Sequence, residues 1–148
     1  MRVTTKGRYA LRALVKLALD GSGKPIPIKK LAAAEEISPE FLEQIFFRLK
    51  KAGIIDSVRG PGGGFILRRD PEEITVRAIF DAVGEGIELT PCTTPSHNGA
   101  TQECDRAEQC LMHDVWQEVS SHITSYFEQL TLQKILQRSR EETAELLI

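Results

Sequence analysis

The segment from Ser38 to Gly53 most constrains the fold, because its helix is marked at both ends and along one side. Ser38 is a favourable N-cap whose hydroxyl can accept an otherwise unpaired amide proton, and Pro39 suits the first helical position. Gly53 stands where a left-handed residue commonly ends a helix. The apolar residues of one helical face are Leu42, Ile45, Phe46 and Leu49. This pattern predicts a helix over residues 39–52 with one buried side.

The neighbouring segments place this helix in a helix-turn-helix followed by a hairpin. A shorter apolar pattern predicts a helix over residues 28–35, and a short helix, a brief turn and a longer helix are the order of a helix-turn-helix. Two short β-prone runs, 54–58 and 65–69, enclose the glycine-rich segment 59–64 and predict a β-hairpin. A basic hairpin directly after the second helix of such a pair is a wing.

The remaining segments predict further helices and one long loop. Residues 5–19 and 73–83 show helical spacing, and residues 110–130 predict a long amphipathic helix with a weaker helix after it. Residues 84–109 contain few large apolar side chains, and a loop of this length is often functional or disordered. We therefore expect a mainly α fold with a small β-hairpin, built as a winged helix-turn-helix plus a long C-terminal helix.

Charge is segregated along the chain although the net charge is only −2. Residues 1–69 carry 14 Lys and Arg against 6 Asp and Glu, whereas residues 70–148 carry 5 against 15. Such asymmetry suggests a nucleic-acid-binding part joined to a different one. The alternative is chance segregation on solvated faces, so the positions of the basic residues must decide between them.

Composition and motifs argue against several other classes of protein. No apolar run approaches the roughly 20 residues that cross a bilayer, and charges interrupt the N-terminal segment, so we expect a cytoplasmic protein without membrane association. The glycines of 59–64 lead into a strand-like run, whereas nucleotide-binding loops lead into a helix. We find no nucleophile–base motif and no paired carboxylates of the kind that would indicate an enzyme.

The polar side of the 39–52 helix and the tip of the hairpin carry side chains suited to DNA. Gln44 and Arg48 can donate to base acceptors in the major groove, and Glu43 can accept from a cytosine amino group. Lys50 and Lys51 suit phosphate contacts, which position a protein without reading sequence. Further phosphate candidates are Lys6, Arg8, Lys29 and Lys30. Arg59 lies at the hairpin tip, where glycines let the backbone approach a groove closely.

Four motifs give the chain a specific resemblance to a known family. They are Met1-Arg2, Thr5-Lys6-Gly7-Arg8-Tyr9-Ala10, Phe41-Leu42-Glu43-Gln44 and Ser57-Val58-Arg59-Gly60-Pro61-Gly62-Gly63-Gly64. Over roughly residues 1–130 the chain resembles the iron–sulfur cluster regulator (IscR) family of bacterial winged helix-turn-helix repressors. The resemblance implies a repressor of iron–sulfur cluster biogenesis genes that binds a two-fold-related DNA operator as a homodimer joined through the long C-terminal helix.

The resemblance also implies a division of the chain and roles for individual residues. Residues 1–83 would be the DNA-binding domain, 84–109 a cluster-binding loop, and 110–148 the dimerisation helix and tail. The helix with Glu43 and Gln44 would read bases, Glu43 would discriminate between operator classes, and Arg59 would enter the minor groove. The candidate DNA-binding residues are Thr5, Lys6, Arg8, Ser38, Glu40, Glu43, Gln44, Arg48, Lys51, Arg59, Gly60, Pro61 and Gly62.

Three cysteines and a nearby histidine form a second candidate site. Eleven residues separate Cys92 from Cys104, five separate Cys104 from Cys110, and His113 follows Cys110 at helical spacing. An odd count in a reducing compartment argues against a disulfide, and independent core thiols are possible. Three thiolates and an imidazole make a complete four-ligand set, which suits zinc as well as an iron–sulfur cluster.

The resemblance favours the cluster over zinc. The segment 110–116 looks like the family's final cysteine, its ligating histidine and the start of the long helix, which implies a [2Fe–2S] cluster held by Cys92, Cys104, Cys110 and His113. The family usually spaces its cysteines five residues apart, so the interval before Cys104 is longer here, and it contains His97 as a possible substitute ligand. The alternatives are a regulator with structural zinc and a small iron–sulfur electron carrier.

Overall fold

The computed structural model describes residues 3–87, 89–93 and 104–146. Its helices are α1 (Thr5–Gly21), α2 (Ile28–Glu35), α3 (Pro39–Lys51), α4 (Val76–Val83), α5 (Leu111–Gln129) and α6 (Leu132–Leu146). Strands β1 (Ile55–Val58) and β2 (Gly64–Leu67) pair antiparallel, and short 3-10 turns cover Pro91–Thr93 and Ala107–Gln109. The predicted fold class, mainly α with one small hairpin after a helix-turn-helix, is confirmed.

Helix α3 begins and ends as its local sequence predicts. The Ser38 hydroxyl accepts a hydrogen bond from the Phe41 amide at 3.2 Å, and Pro39 occupies the first turn. Gly53 follows with a φ of +73°, a left-handed conformation that favours glycine. The apolar side chains of the predicted face, Leu42, Ile45, Phe46 and Leu49, are all fully buried. The opposite side of α3 is therefore the side that remains available to a partner.

The hairpin is attached to the body through the connector between α1 and α2. Ile26 and Phe65 form an antiparallel bridge in which each amide donates to the other residue's carbonyl, at 3.0 and 2.9 Å. The ring of Phe65 then packs edge-on against that of Phe46, with centroids 5.0 Å apart. Because Phe46 belongs to α3, these contacts fix the hairpin relative to that helix.

Helix α4 begins later than the predicted helix over residues 73–83. The Thr75 hydroxyl accepts a hydrogen bond from the Ala78 amide at 3.0 Å, so Thr75 is the N-cap and the helix starts at Val76. Thr75 also forms an isolated bridge with Thr131. Residues 73–75 are thus held in a non-helical conformation by a contact with the link between α5 and α6, and the prediction for them was wrong.

The last two helices differ in how they meet the body. Helix α6 returns to it, and Leu132 and Leu136 are buried in the same core as α1, α2 and α3. Helix α5 has no buried side chain, and its Phe127 ring contacts Phe80 of α4 with centroids 5.3 Å apart.

The division of the chain into a DNA-binding domain, a cluster-binding loop and a dimerisation helix with its tail stays a prediction. Within the described ranges, no helix combines the length and apolar character needed to cross a membrane.

Candidate functional site

The candidate DNA-binding residues form an exposed surface on α1, α3 and the hairpin. Twelve of these thirteen residues are exposed, and Lys6 is half-buried. On α3, residues 40, 43, 44, 47 and 51 recur at three- and four-residue spacing, so they share one face. Arg48, Lys50 and Lys51 place positive charge in the last turn of the helix. We call the exposed side of α3 the outer face.

A groove separates the outer face of α3 from α4. Its lining combines charged, amide and apolar groups: Glu40, Glu43, Gln44, Phe47, Arg48, Lys51, Ala52 and Ala82. Phe47 is prominent among them because its side chain is 69% exposed. This face can therefore donate hydrogen bonds, accept them and offer an aromatic ring.

The N-terminus of α1 is held by a carboxylate that lies just beyond the C-terminal end of α4. Glu85 accepts hydrogen bonds from the amides of Thr4 and Gly7, at 2.8 and 3.2 Å, and from the Thr4 hydroxyl. Its side chain is buried, at 5% exposure. Thr4 itself makes no capping side-chain bond and the first turn contains no acidic residue, so Glu85 supplies the negative charge that a helix N-terminus favours.

The hairpin presents its tip to solvent next to α3. Arg59, Gly60, Pro61 and Gly62 are all exposed, as a wing tip that enters a DNA groove requires. The Lys50 ammonium donates to the Ser57 hydroxyl at 2.6 Å, which joins the end of α3 to β1. The described structure thus places a basic helix end and a narrow glycine-rich tip on neighbouring parts of the surface.

The cysteines lie on both sides of the segment 94–103, which is outside the described residues together with His97. Cys92 is half-buried in the first 3-10 turn, where its sulfur lies 3.3 Å from the Thr90 hydroxyl, and this turn packs against α5. Cys104 and Cys110 are exposed, and Cys110 immediately precedes α5. All three thiols are free, and the cysteines belong to the part of the chain that connects α4 to α5.

One part of the cysteine site is formed by the start of α5. Cys110 and His113 line the same hollow, together with Ala107, Glu108, Gln109, Leu111 and Asp114. The Nδ1 atom of His113 is buried and has no hydrogen-bond partner among the described residues. Across those residues, no three Cys, His, Asp or Glu side chains come close enough together to hold a metal ion. Cys110 and His113 thus share one hollow, and neither Cys92 nor Cys104 lines it.

The sequence did not single out two residues of these surfaces as functional. Glu85 is one of many acidic residues in the C-terminal half of the chain. Its partners lie 78 and 81 residues away, so no local sequence pattern distinguishes it. Phe47 did carry a signal, because a large aromatic residue on the polar side of an amphipathic helix is unusual where no core covers it.

An exposed outer face with a basic last turn on the second helix of a helix-turn-helix, beside a glycine-tipped wing, defines a winged-helix DNA-binding protein. Comparison with family models specifies the class: the chain belongs to the Rrf2 family of iron-dependent transcriptional regulators, whose model matches residues 3–138. The protein is therefore a DNA-binding transcription regulator, and the resemblance to the iron–sulfur cluster regulator group is confirmed.

Individual relatives agree with this assignment. The chain is 38% identical over 136 residues to the HTH-type transcriptional regulator IscR of Serratia proteamaculans, a match that covers 92% of this chain and 79% of that protein. Among solved structures, T. potens IscR matches with a TM-score of 0.75 and 30% identity, covering 96% of this chain and 90% of that one. CymR, the global cysteine regulator of B. subtilis, shares the fold with a TM-score of 0.74 at 24% identity over 93% of this chain and 98% of its own.

Proposed function

We propose that this protein is a homodimeric repressor of iron–sulfur cluster biogenesis genes that senses cluster status through a [2Fe–2S] cluster bound by Cys92, Cys104, Cys110 and His113. The observation that carries the proposal is the buried, unpartnered Nδ1 atom of His113 in the same hollow as Cys110. A buried polar nitrogen without a partner is costly, and coordination by a metal centre would satisfy it. A regulator of chromosomal genes would act in the cytoplasm.

The proposed DNA contacts follow from the positions of the exposed groups. Helix α3 lies in the major groove, where Gln44 and Arg48 donate to base edges and Glu43 accepts from cytosine. Arg59 enters the minor groove beside it. Among the remaining candidates, the donor groups act on the backbone phosphates, which fix register and orientation: the side chains of Thr5, Lys6, Arg8, Ser38 and Lys51 and the amides of Gly60 and Gly62. Glu40 is an acceptor that suits a cytosine amino group. Pro61 has no N–H to donate and shapes the wing tip.

The proposed dimer interface is the exposed apolar side of α5. Its members are Leu111, Met112, Val115, Trp116, Val119 and Tyr126, each between 38% and 91% exposed. Met112, Trp116, Val119 and Tyr126 follow the alternating spacing of a two-helix seam. Soluble monomers rarely leave so continuous an apolar stripe in water, and a second copy of α5 would cover it with the same surface.

Val119→Asp tests this interface. We expect the dimer dissociation constant to rise by about 100-fold or more, because two-fold symmetry would bury two unpaired carboxylates at one contact. Sedimentation over a range of protein concentrations measures the change. Ser121→Asp is the matched control, since it adds the same charge to an exposed residue on the other side of α5. Equal dissociation constants for both variants would show that the dimer, if any, uses another surface.

The cysteine site suits a sensor because of where it lies in the chain. Its ligands would come from both ends of the segment that connects α4 to α5. A bound [2Fe–2S] cluster would supply a group that is sensitive to oxidation and to iron supply. Glu85, at the start of the same segment, holds the N-terminus of α1, whose first turn carries Thr5, Lys6 and Arg8. A cluster bound to this segment can therefore bias the DNA-binding surface between two states.

The experiment is anaerobic purification followed by visible spectroscopy and analysis of iron, sulfide and zinc. We expect a coloured protein with about two irons per chain, and loss of the full spectrum in Cys92→Ala, Cys104→Ala, Cys110→Ala and His113→Ala. His122→Ala is the matched control, because His122 lies on the same helix but is exposed and contacts the Glu118 carbonyl at 2.8 Å. A colourless, zinc-loaded protein would instead support the structural-zinc alternative.

Duplex binding by the same preparations separates the remaining alternatives. We expect affinity to fall steeply as salt rises, since several phosphates are neutralised, and operator preference to differ between loaded and cluster-free protein. Absence of salt-dependent binding would favour an electron carrier. Identical preferences in the two forms would contradict cluster sensing while leaving DNA binding intact.

A further inference from the structure

Phe47 is an aromatic residue that the fold does not need. The core side of α3 is completed by its buried apolar residues, whereas the Phe47 side chain is 69% exposed. Within residues 3–87 it is the most exposed large apolar side chain, well above Leu19 at 38% and Val58 at 40%. Exposed apolar area on a surface that binds a partner indicates a contact made by the partner.

Phe47 stands in the middle of the outer face of α3. It follows Glu43 and Gln44 by four and three residues and precedes Lys51 by four, so these side chains surround it on one face. It also lines the groove between α3 and α4 with Arg48. A partner that contacts Gln44 and Arg48 would therefore also contact the side chain of Phe47.

We propose that Phe47 packs against the C5-methyl group of a thymine in the operator and thereby makes the protein select thymine at that base pair. The thymine methyl is the apolar group that base pairs display in the major groove, and phenylalanine is suited to contact it. The neighbouring amide, carboxylate and guanidinium groups match the polar base edges around such a methyl. This proposal rests on the proposed placement of α3 in the major groove.

The position of Phe47 along the helix limits where this thymine lies. Phe47 is about one turn beyond Glu43 and Gln44, a rise of about 5.4 Å, and successive base pairs are about 3.4 Å apart. The selected thymine is therefore expected within about two base pairs of the one read by Gln44. By two-fold symmetry, each half of the operator contains one such thymine.

The test removes single methyl groups from DNA. The full-length wild-type chain selects a duplex of about 30 base pairs from a randomised library, a length that accommodates two half-sites one helical turn apart. Each thymine is then replaced in turn by deoxyuridine, which lacks only the C5-methyl group. We expect that in each half-site the replacement of one particular thymine weakens wild-type binding about fourfold. This factor corresponds to the free energy of burying one carbon group. Phe47→Ala is expected to bind the thymine and deoxyuridine duplexes equally.

Gln44→Ala distinguishes this proposal from the one on which it rests. We expect that variant to bind the selected duplex more weakly but to keep the wild-type preference for thymine over deoxyuridine. Phe47→Ala should unfold at the wild-type denaturant midpoint, since the ring is exposed.

No deoxyuridine effect in the wild type, or the same effect in Phe47→Ala, would overturn the role of Phe47. If Gln44→Ala and Arg48→Ala both bind as tightly as wild type and no thymine replacement weakens binding, α3 does not read bases, and its placement in the major groove fails together with the role of Phe47. A change of oligomeric state in Phe47→Ala with an unchanged thymine preference would assign the ring to a protein contact.

Discussion

Replacing Gly64 by alanine is expected to detach the wing from the body of the protein. An added Cβ would overlap the carbonyl group of Ile26 and lie 2.6 Å from the nitrogen of Pro27. These are backbone atoms, which cannot move aside as the end of a flexible side chain can. The two hydrogen bonds between Ile26 and Phe65 would therefore be lost, and the Phe65 ring would shift away from Phe46.

The expected loss of stability is about 3–5 kcal/mol, combining two backbone hydrogen bonds at about 1 kcal/mol each with the strain of overpacking. This is a large part of the roughly 5–15 kcal/mol by which domains are stable. Urea unfolding measures it, and duplex binding should weaken in parallel because Arg59 loses its fixed position.

Gly62→Ala is the matched control in the same hairpin. Gly62 has a φ of +77° and no atom within 4 Å of an added Cβ, so its substitution carries only the left-handed penalty of about 1–2 kcal/mol. Equal destabilisation by the two variants would show that the bridge to Ile26 does not hold the wing.

The elements with local signals could be predicted from the sequence. Ser38 and Gly53 mark the ends of α3 by their own capping chemistry, and the apolar spacing between them needs no knowledge of the rest of the chain. The hairpin is marked by its glycines in the same way. The start of α4 was predicted wrongly although Thr75 caps it with the same local chemistry, because the bridge from Thr75 to Thr131 arises only in the assembled fold.

The residues of the candidate sites also differ in whether a local sequence signal identifies them. Residues on the outer face of α3 and on the wing could be named because helical spacing and turn position put them on the surface. The pairing of Cys110 with His113 also follows from helical spacing, and both residues line one hollow. How Cys92 and Cys104 would reach that hollow depends on the connecting segment, for which spacing alone gives no geometry. Glu85 had no local signal because its partners are remote in sequence.

Removing the Glu85 carboxylate is expected to loosen the first turn of α1. Three donors at that helix end, two amides and one hydroxyl, bond to this buried side chain. Glu85→Ala would leave them without a partner and withdraw the negative charge from the helix N-terminus. We expect a loss of about 2–4 kcal/mol in unfolding free energy, with a smaller loss in Glu85→Gln, which keeps one acceptor oxygen. Glu73→Ala, at an exposed carboxylate, should be close to neutral.

A double-mutant cycle with Gly7 makes this expectation specific to the observed contact. A Cβ on Gly7 would lie 2.8 Å from a Glu85 carboxylate oxygen, so Gly7→Ala should destabilise the wild type. In the Glu85→Ala background the obstructing atoms are gone, and alanine is favoured over glycine in a helix by up to about 1 kcal/mol. The same substitution is therefore expected to change sign between the two backgrounds. Additive effects would place Gly7 and Glu85 out of contact, whereas a sign reversal in urea unfolding would establish that this carboxylate seats the N-terminus of α1.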